Sequence, residues 1–388
     1  MKARVVRTRN NLLALAAAVV LTALFTWGST LIDLQVYRAG GHAWLNGLPL
    51  YGDGFPYLPS DTGLPFTYPP IAAVLFAPLA LLPMTGAVMV LTLLTVLALA
   101  GTCVLVVRHL GRNWLLGLGF TLLCVLVEPV RSTLWLGQIN VLLMVAVVAD
   151  CLLPRTPWPR GLLIGLVAAI KLTPAAFGLY FVVARQWRPA GNVVLGFLGA
   201  TALGFLLAPK DSLAYWFGVL AKTDRIGASW SRDNQSLRGL LARSGLPEST
   251  VVALWAVGVV VVVAVSWFVA ARLRRRGEDL LALTVVAVAG LLASPVSWTT
   301  HWVWVVPALI GLVLARNRVW LAVVAVFFAE PHRLMSPHGH FLWWQHLVGN
   351  AYLIIAAALL VQLIGCTSRE DVQLLGCAKR EDVHHEQH

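Results

Sequence analysis

Charge is scarce in this chain. Only 12% of its 388 residues are charged, against about 25% in a soluble globular protein. That shortage excludes a soluble enzyme, a nucleic-acid-binding domain and a disordered chain. Acid is scarcer than base, with 17 Asp and Glu against 29 Lys and Arg, for a net charge of +12. Cysteine is sparse too. Cys103, Cys124, Cys151, Cys366 and Cys377 show no paired or metal-type spacing, and three of them sit in apolar runs. A disulfide framework is therefore not expected. No H-E-x-x-H, P-loop or Cys/His metal pattern is present. A metal-free, cofactor-free site is the simpler expectation, although acids in the polar loops leave a divalent cation open. There is also no long-period repeat and no inverted symmetry between halves, the usual mark of many carriers.

What is abundant is apolar sequence: 59% of residues are hydrophobic and the mean hydropathy is +0.79. Apolar runs of about 20 residues cross a bilayer as helices, so the fold class is an all-α polytopic membrane protein. A retained signal anchor is read at 11–32, behind Lys2, Arg4, Arg7 and Arg9. Further spans are read near 85–107, 113–128, 137–153, 160–170, 172–184, 190–208, 250–271, 279–297, 302–315, 318–330 and 348–365, about twelve in all. The proline-broken run 70–82 reads as a re-entrant or interfacial piece. With the N-terminus inside, every short inner loop is basic, as in Arg108 and Arg112, Arg155 and Arg160, or Arg272 to Arg276. The outer segments are close to neutral, as the positive-inside rule requires. The chain thus divides into a membrane domain, 1–365, and a polar cytoplasmic tail, 366–388, which contains Arg-Glu-Asp-Val twice.

Two outer segments are long, 33–69 and 209–249. The first is too aromatic for a disordered linker. The second holds Lys210, Lys222, Arg225, Arg232, Arg238 and Arg243, against the positive-inside trend. That excess suits an anionic lipid or phosphate as well as it suits a solvated loop.

The conspicuous polar residues gather on the outer face, whereas a channel or proton-coupled carrier places charge near the bilayer midplane. Asp33 stands where the first span leaves the membrane. It fits an N-cap for a helix over 34–46, and equally a base whose proton affinity is raised by apolar walls. His301 lies among interfacial tryptophans, Trp298 included. It fits a hydrogen-bonded structural residue or a donor to a phosphate or sugar. Lys171 interrupts an apolar run just before Pro174; it either snorkels to headgroups or acts as a point charge for phosphate. In the expected loop 128–140, Arg131 fits a pair with Glu128 or a phosphate contact, and Gln138 and Asn140 fit sugar hydroxyls. Asn234 and Gln235, with Tyr37, Tyr68 and Trp298, complete the candidate sugar contacts.

In chain order these segments resemble glycosyltransferase family 87. The blocks are Asp33-Leu-Gln-Val-Tyr-Arg-Ala-Gly-Gly41 with Leu50-Tyr51, Leu64-Pro-Phe-Thr-Tyr-Pro-Pro70, Glu128-Pro-Val-Arg-Ser-Thr133, Leu136-Gly-Gln-Ile-Asn-Val-Leu-Leu-Met144, Lys171-Leu-Thr-Pro-Ala175, Asn234-Gln-Ser236, and Ser294-Pro-Val-Ser-Trp298 with His301-Trp-Val-Trp304. The likeness is strongest to the α-1,2-mannosyltransferases of phosphatidylinositol mannoside synthesis. It implies a GT-C fold with the site in periplasmic loops of a plasma-membrane protein. It implies a polyprenyl-phosphate-mannose donor, a phosphatidylinositol mannoside acceptor, Asp33 as catalytic base and His301 within the site. One departure is Thr300, where such proteins tend to have a second histidine. A family arabinofuranosyltransferase and, outside the enzyme class, a lipid-linked sugar translocase are the rival readings. Nucleic acid is not an expected partner.

Overall fold

The computed structural model describes residues 31–365, apart from 53, 57–62, 223–224, 226, 317 and 338. The polar tail, with its domain boundary, and all but the last two residues of the expected first span lie outside the described residues. Among the described residues the structure is helical and holds no strand. One isolated antiparallel bridge joins Asn234 and Trp298.

The helices are α1 (Ile32–Leu45), α2 (Pro70–Leu81), α3 (Met84–His109), α4 (Trp114–Val125), α5 (Glu128–Leu136), α6 (Asn140–Leu152), α7 (Leu162–Ile170), α8 (Gly178–Val182), α9 (Trp187–Leu207), α10 (Pro209–Ala214), α11 (Leu237–Ala242), α12 (Glu248–Arg275), α13 (Asp279–Ala293), α14 (Val305–Leu314), α15 (Val319–Ala329), α16 (Trp343–Gly349) and α17 (Ala351–Gly365). Two 3-10 turns, Thr173–Phe177 and Thr299–Trp304, lead into α8 and α14. By length and apolarity α3, α9 and α12 can each cross a bilayer alone. Two bent pairs, α4 with α5 at 73° and α16 with α17 at 79°, offer one more crossing each. The other apolar helices are shorter, α2, α6 and α13 among them with 12, 13 and 15 residues. Val260 on α12 is 68% exposed and Leu206 on α9 is 76% exposed. Apolar surface on that scale faces lipid rather than water, so the chain is a membrane protein.

Helix breaks position the site, and three of them differ from the sequence reading. The first is at Asp33. It is not an N-cap; Leu31 takes that place, with φ 44°, and Asp33 lies one residue inside α1. There its charge complements the helix dipole. The second is the expected loop 128–140, which is largely the helix α5. Pro129, near its start, needs no intrahelical partner for its missing N–H. The third is the span expected at 113–128, which stops at Val125. The run 70–82 is the 12-residue helix α2, opened by Pro70 at its first turn.

Two glycines set close approaches. Gly137 ends α5 with φ 72°, a left-handed conformation that favours glycine. A Cβ there would lie 2.8 Å from the Cβ of Leu34, so the turn carrying Gln138 presses directly on α1. On α7, a Cβ at Gly165 would lie 2.2 Å from the Val193 carbonyl oxygen and 2.9 Å from the Cα of Gly196. This near backbone contact of α7 with α9 fixes the end of α7, where Lys171 follows. Small residues at such crossings let helices pack in lipid without a hydrophobic driving force. Gly165→Ala should therefore destabilise the protein by about 1–3 kcal/mol, the usual cost of overpacking. Gly199→Ala, with no neighbour within 4 Å, should be neutral or slightly stabilising. Thermal unfolding in detergent measures both; equal melting temperatures would contradict the tight crossing.

Candidate active site

The breaks open onto one large cavity of about 700 Å³. Asp33, Tyr68, Gln138, Lys171, Trp298 and His301 all line it. They come from segments separated by more than two hundred residues, and the cavity brings them together.

A chain of hydrogen bonds orders this wall. The Lys171 ammonium donates to Asn140 Oδ1 at 2.8 Å. Asn140 Nδ2 donates to Gln138 Oε1 at 2.8 Å and to the Thr300 carbonyl at 2.9 Å. Gln138, its oxygen thus engaged, turns its amide group to Asp33 and hydrogen-bonds the carboxylate. Lys171 Nζ also stands 3.2 Å from His301 Nε2. Since an ammonium only donates, Nε2 accepts, and the imidazole is neutral with its hydrogen on Nδ1. The ammonium lies 5.6 Å from the centroid of the Tyr68 ring, within reach of its π-face.

Asp33 sits on α1, outside the apolar helices. Burial raises its carboxyl from the ordinary range to about 6. The Gln138 hydrogen bond and the Lys171 charge both oppose the rise. The outcome is a carboxylate that is ionised at neutral pH and still a useful proton acceptor.

Several candidate residues lie elsewhere. Tyr37 is fully buried behind the wall; its hydroxyl meets the Tyr68 hydroxyl at 3.0 Å and its ring stacks on Phe76. It props Tyr68 rather than lining the cavity. Asn234 and Gln235 are also fully buried. Asn234 Nδ2 donates to the Ser229 and Pro295 carbonyls, and its Oδ1 accepts from the Ser297 amide. Gln235 Nε2 donates to the Arg232 and Gly349 carbonyls. These amides staple loop 227–236 to the segment carrying Trp298, whose ring packs against Gly227. Asn140 likewise spends its amide on protein partners and holds Lys171. Arg131 does not line the cavity. Its guanidinium pairs with Glu330, not with Glu128, which is buried and accepts from Ser132 Oγ and the Tyr352 hydroxyl.

The cavity also holds residues not singled out from sequence as site contacts. Lys222, Arg225, Arg232, Asp233 and Arg333 line it. The excess of base in 209–249 was the signal for the first three; Arg333, alone in the segment after α15, carried none. Beside Arg333, ligand atoms of Glu128, Glu330 and His332 lie within 4.8 Å of one another, a spacing a metal ion can use. Here both Arg131 and Arg333 already pair with Glu330, so that carboxylate's charge is met by protein.

Residues 66–295 match the model of glycosyltransferase family 87. The chain is 42% identical over 356 residues to a polyprenol-phosphate-mannose-dependent alpha-(1-2)-phosphatidylinositol mannoside mannosyltransferase of Mycobacterium tuberculosis, covering 85% of this chain and 83% of that one. It is 40% identical over 371 residues to the protein of the same description in Mycolicibacterium smegmatis, covering 87% and 84%. It is 33% identical over 373 residues to a polyprenol-phosphate-mannose-dependent alpha-(1-2)-phosphatidylinositol pentamannoside mannosyltransferase of M. tuberculosis, covering 90% and 84%. No solved structure matches the chain.

The hydrogen-bonded wall has a direct spectroscopic consequence. Infrared difference titration should show one carboxyl with a midpoint near 6, absent in Asp33→Asn. Gln138→Leu removes a hydrogen bond to the ionised form and should move that midpoint upward. A midpoint unchanged in Gln138→Leu would break the link between the amide chain and Asp33.

Proposed function

This chain belongs to glycosyltransferase family 87, and we propose that it transfers mannose from a polyprenyl phosphate to the 2-hydroxyl of a mannose on a phosphatidylinositol mannoside. The descriptions of its relatives name that donor and acceptor class. The observation that carries the mechanism is the meeting of Asp33, Lys171 and His301 on one cavity wall, a proton acceptor beside a cation.

The reaction is a single displacement with inversion. The acceptor hydroxyl attacks the anomeric carbon as its proton passes to the Asp33 carboxylate. The bond from that carbon to the β-linked phosphate oxygen breaks, and its electron pair leaves with the lipid phosphate. Negative charge grows on that phosphate in the transition state, where the Lys171 ammonium stabilises it. The neutral His301 imidazole positions the phosphate or the transferred sugar. Tyr68 and Trp298 form apolar walls for the sugar rings. Gln138 and Asn140 act through Asp33 and Lys171.

The membrane arrangement belongs to the same proposal. About twelve crossings in a GT-C arrangement, with the N-terminus cytoplasmic, put the cavity at the periplasmic face of the plasma membrane. In support, the polar cavity residues Asp33, Gln138, Lys171, Arg225, His301 and Arg333 all fall in segments that the positive-inside pattern assigns to the outer side. Shorter apolar helices serve as crossings when they are tilted or joined end to end.

Purified protein in lipid, given labelled polyprenyl-phosphate mannose and a tetramannosylated phosphatidylinositol, should form a slower glycolipid on thin-layer chromatography. Asp33→Asn should lose on the order of 10²-fold or more in rate, the range for loss of a general base. The base works only when ionised, so wild-type rate should fall as pH drops through about 6. A variant that keeps its rate would remove Asp33 from the chemistry. Unmodified label moved across a liposome would indicate a translocase.

A further inference from the structure

The cavity carries more positive charge than one phosphate requires. Lys171, Lys222, Arg225, Arg232 and Arg333 line it, against Asp33 and Asp233. Their surroundings divide them. Lys171 belongs to the reacting end, hydrogen-bonded to Asn140 and in contact with His301. Arg333 is paired with Glu330 and lies 3.9 Å from Glu128. Arg232 spends its guanidinium on the carbonyls of Arg333 and Met335. Lys222 and Arg225 are different: among the described residues neither forms an ion pair or donates a side-chain hydrogen bond.

Arg225 is placed, not merely solvated. Its guanidinium lies 5.8 Å from the centroid of the Tyr51 ring, and its Nη1 is buried without a hydrogen-bond partner among the described residues. The Tyr51 hydroxyl donates to the Tyr68 carbonyl at 2.6 Å, which holds the ring. Tyr51, Phe66 and Tyr68 form a run, with centroids 6.2 Å and 5.8 Å apart. Arg225 sits over the Tyr51 end and Lys171 over the Tyr68 end. One cavity therefore holds two separated cationic points.

A donor with a single phosphate, bonded to the carbon under attack, must keep that phosphate at the reacting end, beside Lys171. The second point needs a second anion. We propose that Arg225, assisted by Lys222, is a subsite for the phosphodiester of the acceptor lipid. The subsite rests on the mannosyl transfer proposed above. It seats the acceptor by its headgroup charge while the terminal mannose reaches Asp33. A guanidinium presents a rigid fork that matches phosphate geometry, and a buried nitrogen without a partner is a donor awaiting an acceptor.

The test compares two acceptors with the same terminal mannose. One is the tetramannosylated phosphatidylinositol; the other is an alkyl oligomannoside without phosphate. Wild type should favour the anionic acceptor, with a KM lower by about tenfold, the value of one charge-assisted contact. Arg225→Gln should erase that preference by raising KM for the anionic acceptor, and Arg225→Lys should retain part of it. The KM for the polyprenyl donor should not follow. Equal losses with both acceptors would make Arg225 a structural residue and overturn the subsite. A raised donor KM would assign the subsite to the donor phosphate, and a wild type without preference would remove it. Turnover of neither acceptor by wild type would bring down the transfer reading itself, and the subsite with it.

Discussion

A carboxylate and an ammonium that share a cavity tend to meet. In this structure Asp33 and Lys171 are kept from doing so by two amides, and the rest of the site depends on that separation. A direct ion pair would hold Asp33 in the ordinary carboxylate range or below it, and would occupy its lone pairs. The relay through Asn140 and Gln138 leaves the carboxylate a proton acceptor that still feels the lysine's charge. The relay also has a sense. Each amide has one donating and one accepting end. The order from Lys171 to Asn140, Gln138 and Asp33 uses every group in one direction. Turning either amide over would set donor against donor and leave a buried polar group unmet, at a cost of about 1–3 kcal/mol.

The backbone supplies that order through its breaks. Gly137 turns the chain between α5 and α6 so that Gln138 and Asn140 leave the helices side by side against α1. Pro174, in the first turn of the 3-10 segment after Lys171, keeps α7 from continuing, so the lysine stands at a helix end. The second 3-10 turn brings the Thr300 carbonyl to Asn140 and His301 to Lys171. Had these been uninterrupted helices, their carbonyls would be committed to i→i−4 bonds and unavailable to side chains. Irregular backbone at membrane depth is tolerated where it lines a cavity, and here it faces one.

This explains which parts of the site could be read from the sequence. Asp33, Lys171 and His301 were legible because an ionisable group in an apolar run is costly and stands out. The helical class was legible from composition, and the main apolar helices lie close to where hydropathy placed them. Asn234 and Gln235 misled because a buried amide that staples two loops looks, in sequence, like one that grips a sugar. Arg131 misled because its partner, Glu330, lies about two hundred positions away and no local pattern announces it. Asp33 as an N-cap failed for a subtler reason: Leu31 adopts a left-handed φ, which local propensity disfavours and tertiary packing imposes. Arg333 gave no warning at all, being one arginine in a short polar segment.

The distribution of positive charge bears on turnover as well as on binding. An inverting transfer from a lipid phosphate increases the charge on that phosphate, so a cation beside it favours the transition state over the ground state. The same cation also holds the product, and a cage of arginines around the phosphate would trade a faster step for a slower release. The structure avoids a cage at the reacting end. Among the described residues only Lys171 stands there, and it shares its hydrogens with Asn140 and His301. Of the other cavity arginines, Arg333 is met by Glu330 and Glu128, and Arg232 is held by the carbonyls of Arg333 and Met335. Among the described residues Arg225 is left without an ion pair at the Tyr51 end of the aromatic run, where the acceptor subsite proposed above would hold its anion apart from the leaving phosphate.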